Sequence, residues 1–243
     1  MLEAILIDLD GTLLNIDMNV FIPHYLAAMQ KMAVQEKIVE PDHDLTKDVL
    51  YCTSKMLADD NPLTTNEDVF MEHFFRNPYY SDRRQVIQFF NDYYDQIFPT
   101  LADYTAAFAH TSDLMQALTS FRVPIVLATN PVFPYIAIRH RCKWAGVQET
   151  DFTLMTSYDN MHFCKPKLSY YEEICTRINV DPKHCIMIGN DSFEDMNASK
   201  LGMQTFLLTN CLIPSKENQE QLNPTWQGSM EEFIAAIPTL LGA

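Results

Sequence analysis

The chain opens on an unbroken apolar run, Ala4-Ile5-Leu6-Ile7, closed by Asp8-Leu9-Asp10-Gly11-Thr12-Leu13. Four consecutive apolar residues ending in an acidic, glycine-containing turn read as a strand buried on both faces. The period then changes. From about Val20 to Phe98, apolar and aromatic residues recur three and four apart. Ile22, Tyr25, Leu26 and Met29 share one helical face, and Val86, Phe90, Tyr93 and Ile97 share another. Pro62, Pro78 and Pro99 punctuate this block, and the stripe Phe74, Phe75, Tyr79, Tyr80 reads as its core. No strand pattern of comparable strength interrupts it, so it reads as a helical insertion.

Beyond Pro99, short apolar runs alternate with helical stretches. Ser112-Asp113 is placed to cap a helix running to Phe121. The strand Pro124–Ala128 ends in Thr129-Asn130-Pro131, and a helix follows through Ile138. Strands are expected near Thr153–Met155, at Cys185–Gly189 and at Gln204–Leu208, with a helix over Lys167–Ile178 and a closing helix from Met230 to Leu241. Strands alternating with helices call for a parallel sheet with crossover helices on both faces.

Composition narrows the partners. The net charge of −15 repels nucleic acid and anionic membranes, so neither is an expected partner. Anionic substrates stay open, because a metal or lysine inverts the field inside a cleft. The six cysteines are scattered without a Cys-x-x-Cys pair, and Cys185 falls in a buried strand. No basic segment followed by an apolar stretch marks the N-terminus, and no apolar run approaches the ~20 residues that span a bilayer. The expectation is a cytoplasmic protein with reduced thiols. The histidines lack zinc spacing, and His140-Arg141-Cys142 reads as helix surface.

Candidate chemistry sits at strand ends, where open α/β sheets bind ligands. Asp8 and Asp10 are two apart on an extended chain, so both carboxylates point the same way. Like charges held this close need a metal cation, a shared proton or an electrophilic substrate. Thr129-Asn130 offers a hydroxyl and exposed amides that suit a phosphoryl oxygen, although Thr-Asn-Pro is also a routine turn. Lys165-Pro166 precedes a helix, where a lysine either neutralises a phosphoryl group or is simply solvated. Gly189-Asn190-Asp191-Ser192-Phe193-Glu194-Asp195 follows a buried strand. Asp191 and Asp195 are four apart and could face one cation, and magnesium is held by a few carboxylates plus waters and phosphate. Equally, an acid-rich helix start is favoured by the helix dipole alone.

Taken together, in this order and on successive strand ends, the four signals resemble the complete motif set of the haloacid dehalogenase superfamily. The resemblance covers roughly residues 1–16 and 97–210. It implies an α/β fold: a Rossmann-like parallel-sheet core over 1–16 and 97–243, with an inserted α-helical cap over 17–96. It also implies a Mg²⁺-dependent phosphatase that hydrolyses a small phosphorylated metabolite through an aspartyl phosphate. Asp8 would be the nucleophile. Asp10 would be the general acid and then the general base. Thr129 and Asn130 would bind the phosphoryl group, and Lys165 would pair with Asp8 and the phosphoryl oxygens. Asp8, the Asp10 backbone carbonyl and Asp191 would hold the metal, with Asp195 orienting a metal water or Lys165.

Asp10 separates branches within that resemblance. Haloalkanoate dehalogenases lack an aspartate there, because a departing halide needs no proton. One departure stands out: many relatives carry Gly-Asp at the fourth motif, whereas Asn190 here separates Gly189 from Asp191. A sugar phosphomutase on the same scaffold is the alternative activity, and a non-catalytic binding protein is the alternative of another class. Within the insertion, Arg76, Arg83, Arg84 and Lys55 are the candidate anion contacts, each with solvation as its plainer fate.

Overall fold

The computed structural model describes residues 2–240. Elements are named in chain order. Strand β1 (Ala4–Ile7) leads to a short β2 (Leu14–Ile16); helices α1 (Met18–Gln35), α2 (Leu45–Ala58), α3 (Asn66–Arg76) and α4 (Arg83–Asp92) follow. A π turn (Tyr93–Ile97) and a 3₁₀ segment (Phe98–Tyr104) lead back to β3 (Thr105–Ala107). Then come α5 (Thr111–Thr119), β4 (Ile125–Leu127), α6 (Tyr135–Ala145), β5 (Leu154–Met155), α7 (Leu168–Ile178), β6 (Cys185–Gly189), β7 (Gln204–Leu208), β8 (Trp226–Gly228) and α8 (Met230–Leu240). Leu241, the expected end of the last helix, lies outside the described residues.

Six strands form one sheet in the order β5-β4-β1-β6-β7-β8, and every pairing within it is parallel. Numbered among themselves, these strands run 3-2-1-4-5-6, the doubly wound arrangement. The order reverses between β1 and β6, so the crevice past their carboxyl ends is the topological switch point. Asp8, just past β1, and Asp191, just past β6, lie there, with Thr129 beyond the neighbouring β4. The two faces of β1 feed two cores, as alternation requires. Ile5 and Ile7 join Leu127, Ile186 and Ile188 on one side, and Ala4 and Leu6 pack with Val126, Tyr170 and Ile174 on the other.

The first core does not stop at the sheet. It continues into the insertion through Phe21, Tyr25, Phe98 and Phe133. Burying each of these rings contributes roughly 2 kcal/mol. The inserted helices start on side-chain caps: Asp17, Asp44 and Asp82 each accept a backbone amide, and Thr65 with Asp68 forms a capping box. Such caps satisfy amides that have no partner within the helix. The insertion also docks by its backbone. Asn66 N donates to Met161 O (2.8 Å) and Glu67 N to Tyr158 O (2.9 Å), both on the loop that leaves β5. This holds the N-terminus of α3 against the carboxyl-end side of the sheet.

Several expectations need correction. The ribbon of β2 and β3, antiparallel with Leu14 opposite Ala107, was not foreseen, nor was the edge strand β8. Each is three residues long, too short to show a period. Helix α5 begins before Ser112-Asp113, so neither residue caps it. Thr111 opens the helix and turns its hydroxyl to Leu13 O at 3.0 Å, tying α5 to the turn after β1. Helix α6 runs past Ile138 to Ala145, where Gly146 ends it at φ +77°. In the aromatic stripe, Phe74 and Tyr80 are core, but Tyr79 is 40% exposed and stacks on His43. Among the described residues no helix is long and apolar enough to cross a membrane. The cysteines are free thiols.

Candidate active site

β1 ends at Ile7, and Asp8 N still donates to Ile188 O at 2.9 Å, so the sheet fixes this backbone. The chain then turns back on itself. Leu13 N and Leu14 N both donate to Leu9 O at 2.9 Å. Gly11 makes the turn possible at φ +81°; a Cβ there would fall 2.2 Å from Asn190 Nδ2. Asn190 clamps the turn to the fourth motif. Its Oδ1 accepts from Thr12 Oγ1 at 3.0 Å and its Nδ2 donates to Cys211 O at 2.7 Å. Both ends of that amide are committed to the scaffold.

Lys165 is the electrostatic centre. It is 3% exposed, and its Nζ donates to Asp8 Oδ1 at 2.8 Å and to Asp195 Oδ1 at 2.6 Å. Burial works against its charge, but Asp195 and Asp8 outweigh burial and hold the ammonium protonated. Asp195 is pushed above the usual carboxylate range by burial, with Lys165 opposing. Its second oxygen accepts from Asp191 N at 2.9 Å. Asp195 is therefore turned to Lys165 and the loop backbone, and the spacing of four does not aim it with Asp191 at one cation. Asp191 in turn accepts from Phe193 N (2.8 Å) and Glu194 N (2.7 Å) through Oδ1, which shapes the loop.

Thr129 is buried at the end of β4, with its carbonyl held by Thr156 Oγ1 (2.7 Å) and Tyr170 OH (2.9 Å). Asn130 Nδ2 donates to Glu194 Oε2 at 3.1 Å. Asp10, two residues past Asp8, pairs with Arg141 Nη1 through Oδ2. Burial raises the Asp10 pKa; Arg141 opposes this and Asp8 adds to it. A cavity of about 200 Å³ gathers Asp8, Asp10, Thr129, Lys165, Asp191 and Glu194 along its walls. The residues of the four motifs, Asp8, Asp10, Thr129, Asn130, Lys165, Asp191 and Asp195, thus line one place.

Two charged residues of this cavity were missed. Arg141 was read as helix surface, yet it is 1% exposed. The buried positions of α6 are 137, 138, 141, 142 and 145, so helical spacing alone puts Arg141 inward. Glu194 lay within the fourth motif without a role; burial raises its pKa, with Asp191 and Asp8 adding to the effect and Lys165 opposing it. The basic residues of the insertion stay away from Asp8. Arg76 pairs with Glu72, and Arg83 lies 4.8 Å over Phe75. Both line a separate cleft of about 840 Å³ between α3, α4 and the start of α6. Lys55 sits 5.1 Å over Tyr51, and Arg84 is exposed.

Does this site suit a hard divalent cation? Carboxylates outnumber cations around the cavity, with Asp8, Asp10, Asp191, Glu194 and Asp195 set against Lys165 and Arg141. Its acidic donors are oxygens, with neither thiol nor imidazole on the walls. Among the described residues no group of three His, Cys, Asp or Glu side chains could hold a metal by itself. Oxygen donors of this kind suit magnesium, which keeps several waters and takes part of its shell from phosphate.

The Gly189 position supplies a stability test. A Cβ there would fall 2.0 Å from Asp195 Oδ2 and 2.3 Å from its Cγ. Gly189→Ala is expected to displace Asp195 from Lys165, lowering stability by about 1–3 kcal/mol. Thermal denaturation checks this, and an unchanged Tm would contradict the contact.

Comparison with known proteins gives the family and the fold. A family model described as haloacid dehalogenase-like hydrolase matches residues 2–201. No curated protein matches. Among solved structures, a HAD phosphatase from Thermococcus onnurineus has a TM-score of 0.57 at 15% identity, covering 99% of this chain and 98% of that one. The L-2-haloacid dehalogenase RSc1362 has a TM-score of 0.57 at 14% identity, over 97% and 98% of the two chains. YfnB of Bacillus subtilis, assigned to the HAD-hydrolases and bound to magnesium, has a TM-score of 0.53 at 14% identity, over 100% and 99%. At these identities the likeness is one of fold.

Proposed function

Because the chain belongs to the haloacid dehalogenase-like hydrolases, we propose that it is a magnesium-dependent phosphomonoesterase. It acts on a small phosphorylated metabolite through an aspartyl phosphate on Asp8. The observation that carries this reading is the buried Lys165 ammonium bonded to Asp8 Oδ1 at 2.8 Å, in one cavity with Asp10, Thr129 and Asp191. Phosphoryl transfer is mostly positioning plus charge stabilisation, and this set supplies both.

In this reading Thr129, with Asn130 beside it, and Lys165 receive the phosphoryl oxygens. The Asp8 carboxylate attacks phosphorus as the bond to the leaving oxygen breaks, and Asp10 gives that oxygen its proton. Burial favours the protonated Asp10 that this step needs. The ionised Asp10 then takes a proton from water. That water's oxygen attacks phosphorus, the bond to Asp8 breaks, and phosphate leaves. Asp8, Asp191 and the Asp10 carbonyl would hold Mg²⁺, which when bound offsets charge on the transferring group. Asp195 keeps Lys165 in place.

Residues 17–96 serve as the cap and residues 1–16 with 97–243 as the catalytic core. Support comes from the docking of α3 on the loop after β5 and from Met18, which reaches the cavity wall. We read the chain as cytoplasmic, with free thiols that fit a reducing compartment. Its acidity argues against a nucleic-acid partner.

Asp10 makes phosphoryl transfer the better reading than dehalogenation, since a halide leaves without a proton. Its test uses two esters. Asp10→Ala is expected to slow an alkyl phosphate by about 10²–10⁴-fold and p-nitrophenyl phosphate far less, because a nitrophenolate hardly needs protonation. Initial rates of phosphate release measure both. Equal losses would show that Asp10 is not the general acid.

A further inference from the structure

We propose that Arg141 is the positioning residue for Asp10: it holds Oδ2 so that Oδ1 is presented for proton transfer. The proposal rests on the phosphatase reading above and adds a residue to its machinery. Arg141 heads the fully buried side chains by size, on a helix face otherwise made of Ala137, Ile138, Cys142 and Ala145. A buried guanidinium costs several kcal/mol in desolvation unless it is well paired. This one is only partly paired. Nη1 donates to Asp10 Oδ2 and the guanidinium lies 4.4 Å over the Phe133 ring, while Nε and Nη2 have no partner. Core arginines kept for stability have their donors satisfied, and an apolar residue would pack here at lower cost. Fold stability therefore gives no account of this side chain.

Asp10 needs such a partner. It follows the end of β1 and precedes Gly11 at φ +81°, so strand packing does not set its rotamer. Among the described residues no side chain other than Arg141 hydrogen-bonds it, and Oδ1 is buried without a partner. One oxygen is fixed and the other is unoccupied, the division a proton-transferring carboxyl requires. The arginine is itself fixed. Phe133, beneath it, packs against Tyr25 of α1 (centroids 5.4 Å) and Phe98 (6.3 Å). The orientation of Asp10 is thus referred, through one ring, to the insertion.

Misplacing a catalytic group by about an ångström costs on the order of 10²-fold. Arg141→Met fills the same space without donors. It is expected to lower kcat for an alkyl phosphate by about 10–100-fold, with a much smaller loss for p-nitrophenyl phosphate and little change in KM. Arg141→Gln, which retains an amide donor, is expected to fall between wild type and Met, and serves equally should the Met protein fold poorly. In an Asp10→Ala background, Arg141→Met should add little, since the group it positions is gone. A merely structural arginine would cost both esters alike and would add its loss to that of Asp10→Ala; either result overturns the proposal. A raised KM with kcat unchanged would also overturn it, placing Arg141 on the substrate instead. A wild-type protein that releases no phosphate from either ester, while binding Mg²⁺ and folding normally, would overturn the phosphatase reading and this proposal with it.

Discussion

Replacing Asp8 by asparagine is expected to abolish turnover, by about 10³-fold or more, while the protein stays folded. The amide is nearly isosteric with the carboxylate, and the backbone of residue 8 is held by Ile188 O whatever side chain it carries. Lys165 loses one ionic partner but keeps Asp195 at 2.6 Å, so the buried ammonium is not stranded. What disappears is the proposed nucleophile, since a neutral amide does not attack phosphorus at a useful rate. Phosphate release together with Tm separates this from misfolding. Substantial activity in a well-folded Asp8→Asn protein would place the chemistry elsewhere in the cavity.

Chelation should have an effect of similar size. The cavity walls carry more carboxylates than cations, and a phosphoryl group brings further negative charge to them. Without a bound cation, that repulsion opposes both binding and transfer. EDTA is expected to eliminate activity and Mg²⁺ to restore it, with Asp191→Ala raising the magnesium requirement or removing activity altogether. A readout independent of turnover is available. Mg²⁺ should raise the Tm of the wild-type protein in a concentration-dependent way and leave Asp191→Ala much less affected. Full activity after exhaustive chelation, or equal thermal shifts in both proteins, would contradict this assignment.

Most of the sheet was legible because its strands are short, mostly apolar and bounded by turns. Cys185–Gly189, read as a buried strand, is buried at every position. The strands that escaped notice, β2, β3 and β8, are held by pairing with a neighbour and not by any pattern of their own. The helix start at Thr111 was misplaced for a related reason. Its hydroxyl is engaged by Leu13 O, nearly a hundred residues away along the chain, and local capping rules do not see such a partner.

The candidate site divides in the same way. Asp8, Asp10, Thr129 and Asp191 were legible because each follows a strand end within a motif, and Lys165 because it stands just before a helix in the same series. The inward face of Arg141 depends on helix phase, which the sequence carried but which was not followed past Ile138. Its pairing with Asp10 belongs to the tertiary fold. Asn190 shows the opposite case. It stood out in the sequence only as the residue separating Gly189 from Asp191, and the structure gives its amide to Thr12 and Cys211. The role of the insertion's arginines stayed open because their neighbours, Glu72 and Phe75, are settled only by helix packing.

The central claim is a phosphoryl group carried on Asp8. Quenching the wild-type protein in acid during turnover of p-nitrophenyl phosphate, reducing it with borohydride and sequencing the N-terminal peptide by mass spectrometry tests it directly. Borohydride reduces an acyl phosphate to the alcohol, so the account predicts homoserine at position 8, dependent on substrate and absent from Asp8→Asn. An unmodified Asp8 in enzyme quenched while phosphate is still being released, or reduction at any other carboxylate, would contradict it.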